Sequence, residues 1–264
     1  MLISKHFAKL TLWFLVSVYA SAYVYAVDLA VNLEDISPDK LAPLTPMVIE
    51  GPEAVGPSCA VAWPCATGQS QAGRFEEQYD TPESLASSSE RAEELKNLLQ
   101  TWSDKSTEIR NEITNNGEYN GVKLVNSEAR TNLLEALTRN SNYVHSMKHN
   151  INNVHSYKGY YFQTNYVDDN GESRPLTVME VVNDPDPSED YALRYAVSDP
   201  DNLFKTYTNT PGGIKRAGAN SNIHALKHIK ERLGGKIVRA EAASEIEEDI
   251  LRRLGFTEDK LGCR

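Results

Sequence analysis

The sequence predicts a mixed α/β (α+β) domain with an antiparallel meander at its centre, preceded by a helical segment and a proline-rich arm. Three observations predict it. Apolar residues recur at three- and four-residue steps between residues 81 and 155; the pattern then changes to three aromatic and β-branched runs separated by turn signals; from Gly213 onward helix, strand and helix patterns alternate.

Taken in order, Lys5, His6 and Lys9 precede an apolar and small-residue run from Leu10 to Ala26, ended by Ala20-Ser21-Ala22 and Val24-Tyr25-Ala26. This is the pattern of a secretory signal peptide over residues 1–26, cleaved after Ala22 or Ala26. An uncleaved anchor is the alternative, since seventeen residues lie at the low edge of the roughly 17–25 that span a bilayer. Cleavage after Ala26 leaves 238 residues, and the loss of Lys5 and Lys9 takes the net charge from −10 to −12. That length fits one moderate domain with extensions. An acidic chain without a basic cluster argues against nucleic-acid binding and against adhesion to anionic lipid. The expected location is secreted or periplasmic, with no stable membrane association after cleavage.

Residues 27–80 begin with Pro38, Pro43, Pro46, Pro52, Pro57 and Pro64 and little apolar periodicity. They read as a flexible, extended arm, with an ordered strap using Met47, Val48, Ile49 and Trp63 as the alternative. Cys59 and Cys65 bracket a short loop and, in an oxidising compartment, are expected to close a small disulfide ring. Cys263 is left over as a free or intermolecular thiol. The domain proper is expected over 81–264. Thr81-Pro82-Glu83 opens a helix carrying Leu95, Leu98, Leu99, Trp102, Ile109 and Ile113, which Asn115-Asn116-Gly117 stops. A second helix starts near Ser127, carries Leu133, Leu137, Val144, Met147 and Ile151, and is expected to break near Asn140-Ser141-Asn142. Strands follow at Tyr160–Val167, Leu176–Val182 and Tyr191–Val197, joined by Asp168-Asp169-Asn170-Gly171 and Asp184-Pro185-Asp186-Pro187. Helix Asn220–Leu233, strand Lys236–Ala240 and helix Ser244–Leu254 complete the chain.

The loop Lys215-Arg216-Ala217-Gly218-Ala219-Asn220 feeds backbone N–H groups into a helix N-terminus, which suits phosphate. That loop and the Leu254-Gly255-Phe256 ending, set in this order of elements, resemble the GNAT-type N-acetyltransferase superfamily. The order of elements matches over roughly 90–260 and the motifs over about 213–256. In that family the loop reads Gln/Arg-x-x-Gly-x-Gly/Ala, follows a strand that ends in a splay, and holds the pyrophosphate of acetyl-CoA. The resemblance implies acetyl-CoA as cosubstrate, bound by Lys215, Arg216, Gly218, Ala219 and Asn220 and approached by Ser244, the polar residue of the later signature. The tyrosine that usually protonates the departing thiolate falls at Leu251, which has no proton to give. Asp199–Gly213 stand where the family uses few residues. Eight residues follow Phe256, too few for the family's last two strands, which are then trimmed or come from the arm.

Acyl transfer to an amine needs a base. Glu180, on an otherwise apolar strand, is the first candidate because burial should raise its pKa; a solvent-facing strand residue is the ordinary alternative, and Glu189 is a second candidate. The pairs His145/His149 and His224/His228 each share a helical face, but the His-Glu-x-x-His order and a third ligand are missing, so no metal site is read. Glu245-Ile246-Glu247 reads as an acidic first helical turn. The sequence therefore points to a secreted acyltransferase moving an acetyl group from acetyl-CoA to an amine-bearing small molecule or protein. A bacterial effector or toxin, which meets acetyl-CoA inside another cell, fits a leader and that cosubstrate together. The alternative is a catalytically inactive interaction protein on a degenerate scaffold of the same fold.

Overall fold

The computed structural model describes residues 26–50, 69–70, 73–183 and 190–258. Residues 1–25, all three cysteines and Glu189 lie outside the described residues, so the leader, the expected disulfide and the second base candidate fall there. Among the described residues no helix is long and apolar enough to cross a membrane.

The arm contributes β1 (Val27–Asn32), β2 (Met47–Ile49), β3 (Gln69–Ser70) and β4 (Arg74–Asp80). Thr81 then opens the helical layer: its hydroxyl accepts from the Ser84 amide while the Ser84 hydroxyl accepts from the Thr81 amide, a reciprocal box that starts α1 (Pro82–Ser87). Ser88 ends that turn and caps α2 (Ser89–Asn116) through the Arg91 amide, so the helix expected from Thr81 is two. Gly117 closes α2 at φ 73°, a left-handed position that glycine takes without strain. A small hairpin of β5 (Glu118–Tyr119) and β6 (Val122–Lys123) leads to Asn126, whose side chain accepts from the Glu128 and Ala129 amides and caps α3 (Ser127–Asn152).

The break expected near Asn140 does not occur. Asn140 stays helical because its side chain has partners elsewhere: it donates to the Ser198 carbonyl at 2.7 Å and to Ser106 Oγ at 3.2 Å, and accepts from the Ser198 amide at 2.9 Å. A residue that disfavours a helix interior by bonding its own backbone is here spent on pinning α3 to α2 and to the sheet.

The sheet strands are β7 (Gly159–Val167), β8 (Ser173–Asn183) and β9 (Asp190–Ser198), an antiparallel meander. They are followed by α4 (Pro200–Thr208), β10 (Ile214–Lys215), α5 (Ala217–His228), β11 (Ile237–Ala242), α6 (Glu245–Leu254) and β12 (Thr257–Glu258). The seven-stranded sheet has the order β12-β1-β11-β9-β8-β7-β4. All neighbours are antiparallel except β9 and β11, which run parallel across the α5 crossover. The residues Asp199–Gly213 contain the helix α4, capped by the Asp199 side chain on the Asp201 amide and closed at Asn209 in the left-handed region.

Residues 27–32, expected in a mobile arm, instead form an inner strand. β1 lies between β11 and β12, with Leu29 opposite Ala240 on one side and Glu258 on the other. The arm thus supplies a strand of the main sheet.

Helices cover both faces. Leu95, Leu99 and Trp102 of α2 and Val144, Met147 and Ile151 of α3 pack on Tyr161, Val178 and Val197. Ile223 and Leu226 of α5 and Leu251 and Leu254 of α6 belong to a second core with Leu29, Phe162, Met179, Val181 and Val238. Double coverage explains why the meander reads as nearly continuous apolar runs and not as a clean alternation.

Candidate functional site

The parallel pair β9–β11 opens a gap in the sheet. Its pairing runs from Asp190–Ile237 to Leu193–Ala240 and stops, although β9 continues to Ser198 and β11 to Ala242. At the same level β9 carries a bulge, because Tyr195 opposes Glu180 while Leu193 opposes Val181, leaving Arg194 as the extra residue. A bulge bends and twists its strand, and it peels β9 away from β11. The cavity that results has a volume of about 390 Å³ and is lined from both layers, by Lys215, Gly218 and Ser221 on the α5 side and by Arg139, Asn140 and Tyr143 of α3. Ligands of α/β sheets bind at such carboxyl ends of parallel strands.

The loop at one end of the cavity is held from below. Asn202 of α4 accepts from the Ile214 amide at 2.7 Å and donates to the Ile214 carbonyl at 3.0 Å, fixing β10. Gly213 has no room for a side chain, since a Cβ would sit 2.9 Å from Ile49 Cδ1. Arg216 turns through the left-handed region at φ 75° and α5 starts at Ala217 with no side chain capping it. The first-turn amides therefore point outward uncapped, and the helix dipole makes that end positive.

Two cations stand there. Lys215 is half-buried, burial pulls its pKa down, and its ammonium has no hydrogen-bond or ion-pair partner among the described residues. Arg216 is likewise lowered by burial, and its guanidinium donates to the Thr45 carbonyl at 3.3 Å. A Cβ on Gly218 would meet nothing within 4 Å beyond its own helix and chain neighbours among the described residues, so neither packing nor backbone conformation there demands glycine. Thr177 Oγ1 and Ser221 Oγ, on residues of the cavity wall, are buried without a hydrogen-bond partner among the described residues. Buried hydroxyls left unpaired are costly. An uncapped helix start, two partly desolvated cations and open space over a glycine are features that suit an anion.

Of the residues expected at the cosubstrate, Lys215, Arg216, Gly218, Ala219 and Ser244 line the cavity. Ser244 does so while capping α6, its hydroxyl accepting from the Glu247 amide at 3.3 Å. Asn220 does not line it. It is 2% exposed, its amide is bonded to the Arg216 carbonyl, and its side chain accepts from the Leu44 amide and donates to Glu77, tying the arm and β4 to α5. Asn220 therefore faces the opposite side of the helix turn from Gly218.

Glu180 also sits away from the cavity. Its carboxylate is 0% exposed and accepts from Tyr161 at 2.6 Å, from Asn150 at 3.1 Å on each oxygen, and from Tyr157 at 3.2 Å. Burial raises its pKa above the ordinary glutamate range, against those three donors, which favour the charged form. A folded-state pKa above the unfolded one means that this group's contribution to stability is complete below the ordinary glutamate value and is lost as pH rises through the folded value. Glu180→Gln is expected to flatten that part of the stability curve, measured by urea denaturation between about pH 4 and pH 8; an unchanged slope would remove Glu180 as its source.

The histidines serve packing. His228 lies against Tyr79 with centroids 4.2 Å apart and against Phe162 at 5.4 Å, and burial lowers its pKa. His224 Nδ1 is 3.3 Å from Glu77 Oε2, near enough for attraction once protonated but off the line of a hydrogen bond. His145 and His149 are exposed. Among the described residues no group of three His, Cys, Asp or Glu is placed to hold a metal.

Sequence reasoning did not reach Thr177, Ser221, Tyr143 or the Arg194 bulge. None has a local signature: an unpaired hydroxyl looks like any other until its neighbours are known, and a bulge is a mismatch of register between two strands. Glu247, read from sequence only as a first-turn acid, lines the cavity.

A meander followed by a parallel strand that parts from it, with an open helix N-terminus at the parting, makes a mixed, mostly antiparallel α/β fold of the class the sequence predicts. No family model and no curated protein matches the chain. Among solved structures the chain is similar to a tandem GNAT protein from the clavulanic acid biosynthesis pathway, solved without acetyl-CoA, with a TM-score of 0.36 and 10% identity over 88% of this chain. The match spans 50% of that protein.

Proposed function

We propose that this chain is an acyltransferase that moves an acetyl group from acetyl-CoA to an amine on a small molecule or protein. One observation carries the reading: the parted strands β9 and β11 open onto a cavity whose one end is an uncapped helix start flanked by the half-buried Lys215 and Arg216. Pyrophosphate would take the first-turn amides and both cations. The pantetheine arm would lie along the open edge of β9, where backbone groups freed by the splay are available to it. Uncleaved, the leader would hold this domain at a membrane. Processed after Ala26, it would leave β1 whole, since that strand begins at Val27, and would send the enzyme out to act where another cell supplies acetyl-CoA.

Calorimetric titration of acetyl-CoA tests the reading. Binding near 1 μM, about −8 kcal/mol, is expected, with Lys215→Ala weakening it about tenfold, ~1.4 kcal/mol. No heat from the folded protein at millimolar acetyl-CoA would sink the proposal. A second reading, a scaffold without turnover, is favoured by Leu251, which is 5% exposed and shared between the cavity wall and the core. Acetyl-CoA binding without thiol release under any acceptor condition separates the two.

A further inference from the structure

Thioester aminolysis has a requirement that the phosphate end of the cavity does not meet. When nitrogen attacks the carbonyl carbon and the C–S bond breaks, sulfur leaves with the electron pair and needs a proton. The ionisable groups on the cavity wall can be taken in turn. Lys215 and Arg216 belong to the anion end. Arg139 and Arg194 are guanidiniums, too weak as acids to give up a proton at neutral pH, and the Tyr195 hydroxyl is engaged by Arg194 while its ring packs on Tyr143 with centroids 5.1 Å apart. Tyr143 and Tyr207 are pushed by burial further above the ordinary phenol range, so they too are poor acids near neutrality. Asp249 is paired with Arg253 at 2.8 Å, and Glu241 is exposed to water.

Glu247 is different. It sits half-buried on the first turn of α6, on the cavity wall with Ile246, Ile250 and Leu251. One carboxylate oxygen accepts from the Ala243 amide at 2.8 Å, which fixes the side chain. Burial raises its pKa, while Arg139 from α3 and the Ala243 amide pull the other way. Tyr143 of α3 and Tyr207 of α4 both feel its charge, and Tyr143 also feels that of Glu241 on β11, so these are the groups that face it from the elements packed around it. Ser244, one turn earlier, and Leu251, one turn later, share its face of the helix and of the cavity.

We infer that Glu247 is the catalytic residue that protonates the departing sulfur. This rests on the acyltransferase reading given above. In the step, the amine nitrogen bonds to the acyl carbon and sheds a proton to water. The C–S bond breaks, the Glu247 proton passes to sulfur to give the free thiol, and the carboxylate regains a proton from solvent. The α6 face thus carries its acid one turn before Leu251, which is why an aliphatic side chain can stand there without leaving the sulfur unserved.

The test uses the full chain and four forms: wild type, Glu247→Gln, Glu247→Gln with Leu251→Tyr, and Glu180→Gln. The Glu247→Gln side chain keeps an acceptor for the Ala243 amide, so folding is retained. Acetyl-CoA binding is measured by calorimetry, and thiol release from acetyl-CoA is measured against pH with spermidine, with Nα-acetyl-lysine amide, and with water alone. The expected result is unchanged binding in Glu247→Gln and thiol release at least ~50-fold slower, an effect of the size that general acids supply. The wild-type fall in rate as pH rises through the Glu247 pKa should vanish in that variant. The added Leu251→Tyr change, which puts a phenol within one turn, should recover part of the loss, and Glu180→Gln should leave the kinetic pH profile in place. Release at the wild-type rate and with the wild-type pH profile in Glu247→Gln overturns the assignment. So does binding without release above the uncatalysed rate in all three acceptor conditions, because an acid in position speeds hydrolysis too. Absence of acetyl-CoA binding in wild type instead overturns the acyltransferase reading itself.

Discussion

Replacing Gly218 with aspartate is expected to abolish acetyl-CoA binding, by at least about 100-fold or ~2.8 kcal/mol, while leaving the protein as stable as wild type or slightly more so. The two halves of that expectation have one cause. Among the described residues a Cβ at position 218 meets nothing within 4 Å beyond its own helix and chain neighbours, and Gly218 is not at a positive φ, so the side chain enters that space without backbone strain. At the second position of a helix that nothing caps, a carboxylate also meets the positive end of the dipole, worth ~0.3–1 kcal/mol in favour of folding. The same carboxylate fills the space proposed for pyrophosphate. Like charges about 4 Å apart at a protein surface repel by roughly 4 kcal/mol, enough to exceed the stated loss before any steric term is added. Thermal denaturation and calorimetry on one preparation read both halves. A variant that binds like wild type places the phosphates elsewhere; one that unfolds shows that the open space is occupied by something the glycine was needed for.

The loop was legible in sequence because a cradle of this kind is local: Lys215, Arg216 and Gly218 are neighbours in the chain as well as in space. So were the meander and the long helices, whose apolar spacing is a property of each segment alone. What was not legible depends on pairs far apart. Asn220 looks like part of the loop, yet Glu77 on β4 and the Leu44 amide claim its side chain from 143 and 176 residues away. Glu180 looks like a buried acid poised for chemistry, but Asn150, Tyr157 and Tyr161 close around it, and only the packing of α3 on β8 shows that. The splay that opens the cavity is a mismatch between β9 and its two neighbours, and it has no residue type of its own.

The largest stability effect is expected at Leu29. It is 0% exposed, packs in the core beneath α5 and α6, and stands at the centre of β1 with Ala240 on one side and Glu258 on the other. Leu29→Asp removes a buried side chain worth ~2–5 kcal/mol on truncation and places a carboxylate where no donor waits for it, at a further cost of several kcal/mol. A total loss of at least ~4 kcal/mol is a large part of the ~5–15 kcal/mol that holds a typical domain. Asn32→Asp, at the exposed end of the same strand, is expected to shift stability by no more than ~0.5 kcal/mol. Urea denaturation of the pair measures the difference. The consequence reaches the site, because β1 is what holds the outer edge of β11. Its six paired positions from Val27–Ala242 to Asn32–Ile237 keep β11 straight while the bulged β9 bends away. Without β1, β11 has an unpaired edge where the cavity wall turns toward Ser244, and the gap loses one of its fixed sides. Acetyl-CoA binding should therefore fall in Leu29→Asp under conditions where residual folded protein is still present. If it does not, β11 keeps its position without the arm, and the N-terminal strand is support for the sheet but not for the site.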